Sequence, residues 1–157
     1  MPRNTSSLFD PMPGRRWILI PALAGGLVTL SALPPWLPVW AQTVVMEAFA
    51  PVCHQLPERS MHMSGTALAV CDRCLGIYIG AGAGAVVARM AAGFEAHASP
   101  WVVLGIGIVP AGVDWLGPWL GLWINTPSSR LLTGLWLGGA VAWMVVRAIR
   151  SASRRTR

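Results

Sequence analysis

Residues 71–89 read CDRCLGIYIGAGAGAVVAR. Gly76, Gly80 and Gly84 recur every fourth residue, and Ala88 continues the series. On a helix these positions share one face. Such a face lets a second backbone approach closely, which is how helices pack in lipid, where no hydrophobic force drives them together. The stretch from Cys71 to about Ala92 therefore predicts a membrane-crossing helix, with Arg89 reaching toward the far interface. A regular helix from Cys71 puts Arg73 near the glycine face and Cys71, Cys74 and Tyr78 on the other.

Three further apolar runs extend the pattern. A hydrocarbon core about 30 Å thick needs roughly 20 helical residues. Residues 17–33, ended by Pro34-Pro35, predict a first span behind Arg15-Arg16. Residues 101–124 predict a third, interrupted by Pro110, Asp114 and Pro118 at intervals of four. Residues 131–146 predict a fourth, with Gly134, Gly138 and Ala142 as a second small-residue face. Residues 36–52 are apolar but broken by Pro38 and Pro51 and carry Gln42 and Glu47, which suits a short helix lying in the interface. Residues 53–70 form the most polar stretch between the apolar runs, and residues 125–130 (NTPSSR) form a turn.

Composition agrees with this organisation. Of 157 residues, 54% are hydrophobic and 11% charged. A soluble domain carries about 25% charged residues, and a lipid-facing surface accounts for the deficit. The fold expected is all-α: a polytopic membrane protein of about four transmembrane helices, with a short interfacial helix in its first outer loop. Residues 1–14 are expected to be a disordered N-terminus, 15–150 a single transmembrane domain, and 151–157 a basic tail. A secretory signal ending near Ala41 is the rival reading of the first run.

All twelve basic residues are arginine, against six acidic residues. They sit at the ends of apolar runs, where they mark topology and do not suggest nucleic acid. With both termini cytoplasmic, Arg3, Arg15, Arg16, Arg89, Arg147, Arg150, Arg154, Arg155 and Arg157 lie inside, and Arg59, Arg73 and Arg130 outside. Nine against three is a positive-inside bias. This orientation gathers the polar chemistry at the extracytoplasmic end. His97 falls on a cytoplasmic loop, away from it.

Two signals stand out there. The first is Cys53-His54 followed by Cys71-x-x-Cys74. A C-x-x-C pair brings two thiolates within reach of one ion, and Cys₃His is a common tetrahedral zinc set. Cys53 with either His54 or His62 would complete it. The same pair outside the cytoplasm could instead cycle between dithiol and disulfide, or close a structural disulfide. Three cysteines cannot all pair within one chain. The second signal is Asp114, a carboxylate in an apolar run, which calls for a partner or a function. Arg73 and Arg130 are at similar depth, and Asn125 lies in the adjoining turn. No hydrolase triad or phosphate loop is present, so no catalytic residue is singled out.

These residues carry a resemblance. Cys53-His54-Gln55-x-Pro57-x-Arg59-Ser60, then Cys71-x-Arg73-Cys74-x-Gly76-Ile77-Tyr78-x-Gly80, resembles a family of small bacterial and archaeal membrane proteins known only as a domain of unknown function. A looser block continues with Pro110, Asp114, Asn125, Arg130, Thr133-Gly134 and Gly138. Here Trp115 follows Asp114 where the family pattern has glycine. The resemblance covers roughly residues 50–140 and implies a prokaryotic cytoplasmic membrane. It favours Cys53, His54, Cys71 and Cys74 as the quartet, and supplies no activity.

The function expected is a membrane scaffold or accessory subunit with a structural zinc site, and not an enzyme. The alternative is a thiol–disulfide oxidoreductase or metal-handling protein. The partners expected are the lipid bilayer and, through the small-residue faces, other membrane subunits or further copies of the chain.

Overall fold

The computed structural model describes residues 15–91 and 99–155. The expectations for residues 1–14 and for His97 lie outside the described residues.

The chain is mostly helical. A single 3₁₀ segment, Arg15–Ile18, leads into α1, Leu19–Ala32, and Pro34 closes that run. The short helix α2 spans Val39–Phe49, starting after the extended Pro38. Helices α3 (Asp72–Met90), α4 (Pro100–Trp119) and α5 (Pro127–Arg155) follow. Of these, α4 and the Pro127–Ser151 part of α5 are long and apolar enough to cross a membrane, whereas α1 is apolar but shorter.

Three helix ends differ from expectation: α5 runs on to Arg155 and not only to about residue 146, and two others differ for a local reason. Helix α4 stops at Trp119 and not near residue 124. Gly121 adopts φ +67°, its N–H bonds to the Pro118 carbonyl, and Leu122 N–H bonds back to Gly117. This is a Schellman stop, which needs a residue tolerant of the left-handed region. Helix α5 begins at Pro127, inside the segment expected as a turn. Thr126 Oγ1 accepts from Ser129 N–H at 3.1 Å, and Thr126 N–H donates to Ser129 Oγ at 3.0 Å. The reciprocal cap, with proline at the first helical position, starts the helix there.

Helix α3 is central. Its glycine face meets the glycine face of α5, and the two helices run parallel. A Cβ on Gly76, Gly80 or Gly84 would fall 2.1–2.5 Å from carbonyl oxygens of Leu131, Leu135 and Gly139. One on Gly134 or Gly138 would fall 2.1–2.2 Å from carbonyls of Arg73 and Ile77. The small-residue faces, expected to pack within the chain or between chains, pack on each other within the chain. Below them Ala85, Ala88, Ala142 and Val146 form a buried cluster. Helix α1 packs on α3, and α4 packs on α5. The buried residues of α4 are Gly107, Ala111, Asp114 and Gly117.

The 53–70 segment is more structured than its polarity suggests. Pro57–Arg59 forms a 3₁₀ turn, and His62–Met63 pairs antiparallel with Thr66–Ala67. The two-residue connection has Ser64 at φ +52° and Gly65 at φ +81°, matching the twist of a tight hairpin. Leu68, Ala69 and Val70 are buried against Val45, Phe49, Cys53 and Leu75.

Candidate metal and thiol site

The three cysteines converge. The sulfurs of Cys53, Cys71 and Cys74 all lie within 4.8 Å of one another. Two separate segments bring them there. Cys53 follows α2, its N–H bonded to the Phe49 carbonyl at 3.0 Å, and it is buried. Cys71 is the N-cap of α3 and Cys74 lies in its first turn, so one helical turn places both thiols on the side facing Cys53. Cys71 N–H donates to Cys53 Sγ at 3.2 Å. Cys71, Cys74 and Tyr78 pack together against the cluster that contains Phe49 and Cys53.

Several main-chain links hold the segments in register. Ala69 N–H bonds to the Ser31 carbonyl at the end of α1 at 2.9 Å. Gln55, at φ +50°, donates through Nε2 to the Met46 carbonyl at 2.6 Å and the Ala69 carbonyl at 2.8 Å. One carboxamide thus ties the end of α2 to the segment leading into Cys71. Ser60 Oγ closes the intervening turn on the Leu56 carbonyl at 3.0 Å. These side chains carried no role in the sequence reading.

The histidines do not join the thiols. His54 and His62 are exposed, and the close set among the described residues is cysteine only. Cys53 is buried, whereas the adjacent His54 is exposed. His62 lies in the hairpin, nearer Asp72, whose carboxylate feels its charge.

Cys71 lies just outside the helix and has an acidic thiol. A hydrogen bond from the Cys74 thiol, outweighing the effect of burial, lowers its pKa to about 5. Three adjacent sulfurs, one readily a thiolate, form a donor set suited to a soft or borderline ion such as Zn²⁺.

Two ion pairs frame the cluster. Arg73 Nη2 bonds to Asp114 Oδ2, joining α3 to α4. Arg130 lies 3.8 Å from Asp72, joining α5 to α3. Asp72 is buried to 2% exposure, and the sequence reading missed it as a partner. Asn125 Nδ2 donates to the main-chain carbonyl of Asp114 at 3.2 Å, not to its carboxylate. Of the four polar residues expected here, Arg73 and Asp114 pair with each other, Arg130 pairs with Asp72, and Asn125 bonds the Asp114 main chain.

A cleft of about 480 Å³ opens beside the sulfurs, with Cys71, Cys74, Arg59, Arg73 and Arg130 on its wall.

With the geometry established, comparison with known proteins places the chain. The family model described as "Predicted membrane protein (DUF2085)" matches residues 53–144, from the first cysteine through most of α5. The chain belongs to this family. DUF2085 has no assigned function. Uncharacterized protein MJ1492 of Methanocaldococcus jannaschii is 31% identical over 97 residues, which are 60% of this chain and 62% of that protein. The chain therefore spans less than two thirds of that relative's length. No solved structure matches. The matched DUF2085 segment contains all three cysteines and both ion pairs, and excludes α1 and α2.

Proposed function

We propose that the chain is a four-span membrane protein that carries one metal ion, zinc, on Cys53, Cys71 and Cys74 at its extracytoplasmic end, and serves as a scaffold or accessory subunit. The observation that carries this reading is the meeting of three sulfurs from two chain segments within 4.8 Å. Hydrogen bonds of Gln55, Ser31 and the Cys71 amide hold those segments together. The residues fit a zinc ion in type and spacing, and three sulfurs would leave one position for water or another ligand.

Four spans with both termini cytoplasmic would consist of α1, α3, α4 and α5, with α2 in the interface. The arginine distribution of nine against three supports this orientation. So does Arg89, which lies over the Trp17 ring at 5.9 Å at the end away from the cysteines, where an interfacial cation and indole belong. Residues 15–150 would form one transmembrane domain, and 151–157 a basic cytoplasmic tail.

Metal analysis of the full-length chain purified under reducing conditions tests the site. About one equivalent of zinc per chain is expected. Cys53→Ser, Cys71→Ser and Cys74→Ser should each lose it, whereas His54→Ala and His62→Ala should keep it. A wild-type chain that neither retains nor takes up zinc would end the proposal. A disulfide found instead between two of these cysteines in cells would favour the thiol–disulfide reading.

A further inference from the structure

We propose that the cleft beside the cysteines is a binding site for a phosphate-bearing anion, taken up through Arg130, Arg73 and Arg59. Three observations carry it. First, the cleft wall contains three guanidinium groups and no carboxylate. Arg73 and Arg130 are paired with Asp114 and Asp72, neither of which lines the cleft. Arg59 is exposed and has no ion pair among the described residues.

Second, donors are left unused. The Arg130 side chain is only 10% exposed, yet its Nη1 has no hydrogen-bond partner and lies 3.8 Å from Asp72, too far for a hydrogen bond. Arg73 Nε is likewise buried without a partner, and so is one acceptor, Asp72 Oδ1. Buried donors normally find acceptors, and each exception calls for an explanation. An oxyanion supplies several acceptors at once and matches the guanidinium fork.

Third, the parallel arrangement of α3 and α5 brings two helix N-termini to this end of the bundle. Each contributes partial positive charge, although most of the first-turn N–H groups are already capped. The two observations above make this a site and not a bare helix end.

The apolar part of the lining sets the class of ligand. Trp115, Pro118 and Trp119 form it, and Trp115 and Trp119 are more than half exposed. Indoles at a membrane interface flank headgroups. A phosphate with an apolar tail could therefore place its anion on the arginines and its tail along the indoles. About 480 Å³ is within the range of small-ligand sites, roughly 300–1,000 Å³. The lipid arm rests on the membrane placement proposed above. The arginine site itself does not depend on the metal.

Calorimetric titration of the full-length chain in neutral detergent tests the site. Three probes are used: inorganic phosphate, dihexanoylphosphatidylglycerol and phosphate-free dihexanoylglycerol. Saturable binding of at least one phosphate-bearing probe is expected, with none of dihexanoylglycerol. Binding of phosphate alone would identify a free-anion site; a strong preference for phosphatidylglycerol would identify a headgroup site. Arg130→Gln and Arg59→Gln should each weaken binding by about tenfold. Arg59→Gln breaks no ion pair, so it remains informative if Arg130→Gln fails to fold. Arg89→Gln, which removes a charge from the other end, should bind like wild type. Failure of both phosphate probes to saturate, or wild-type affinity in Arg59→Gln, overturns the proposal. Zinc content measured on the same samples keeps this outcome separate from the metal site.

Discussion

Replacing Gly80 or Gly138 with alanine is expected to destabilise the bundle by about 3 kcal/mol, at the upper end of ordinary overpacking. The reason is geometric. A Cβ on Gly80 would lie 2.1 Å from the Leu135 carbonyl oxygen, and one on Gly138 would lie 2.1 Å from that of Ile77. Ordinary contact needs about 3.5 Å. The obstructing atoms are backbone, so no side chain can rotate away. Helix α3 would have to move off α5 along most of their length, and the dispersion contacts that join helices in lipid would be lost together. Gly105 and Gly112 of α4 provide the comparison, because a Cβ there meets nothing within 4 Å. Alanine at those positions should be neutral or slightly stabilising, since glycine costs about 1 kcal/mol in a helix interior. Reversible unfolding in mixed detergent, followed by circular dichroism, reads the difference. Equal stability of Gly80→Ala and Gly105→Ala would refute the packing described.

Asp114→Ala should be at least as damaging, by about 3–5 kcal/mol, because it leaves the Arg73 guanidinium without its counter-charge. The two side chains are only 21% and 8% exposed, so water can do little to replace the partner. Arg73→Ala should cost a similar amount for the converse reason. The double replacement Arg73→Met with Asp114→Leu should recover much of the loss, since an apolar pair of similar volume removes both buried charges. The same unfolding assay measures all three proteins. If the double variant is less stable than both single variants, the pair is not a simple structural link between α3 and α4.

Much of this architecture was legible in the sequence. The fourfold glycine spacing in residues 71–89 marked a packing helix, and Gly134 with Gly138 marked a second. Their mutual pairing was not legible, because each stripe alone fits any close neighbour. The cysteine trio could be read from Cys53 and Cys71-x-x-Cys74, and the Arg73–Asp114 pair from the need of a buried carboxylate for a cation. The exposure of His54 was not legible, because adjacency to Cys53 in sequence does not fix which way the side chain faces. Asp72 was hidden because an acid at a helix start is ordinary for dipole reasons. Only the arrival of Arg130 from α5 reveals its burial. Gln55 could not be read at all: its positive φ and its two carbonyl partners exist only once α2 and the 68–70 segment meet.

X-ray absorption at the zinc edge of the reduced, full-length chain is the most direct measurement of the central claim. The account predicts three sulfur neighbours at about 2.3 Å and one lighter neighbour at the open position. Four nitrogen or oxygen neighbours, or a chain without zinc whose cysteines are joined in a disulfide, would contradict it.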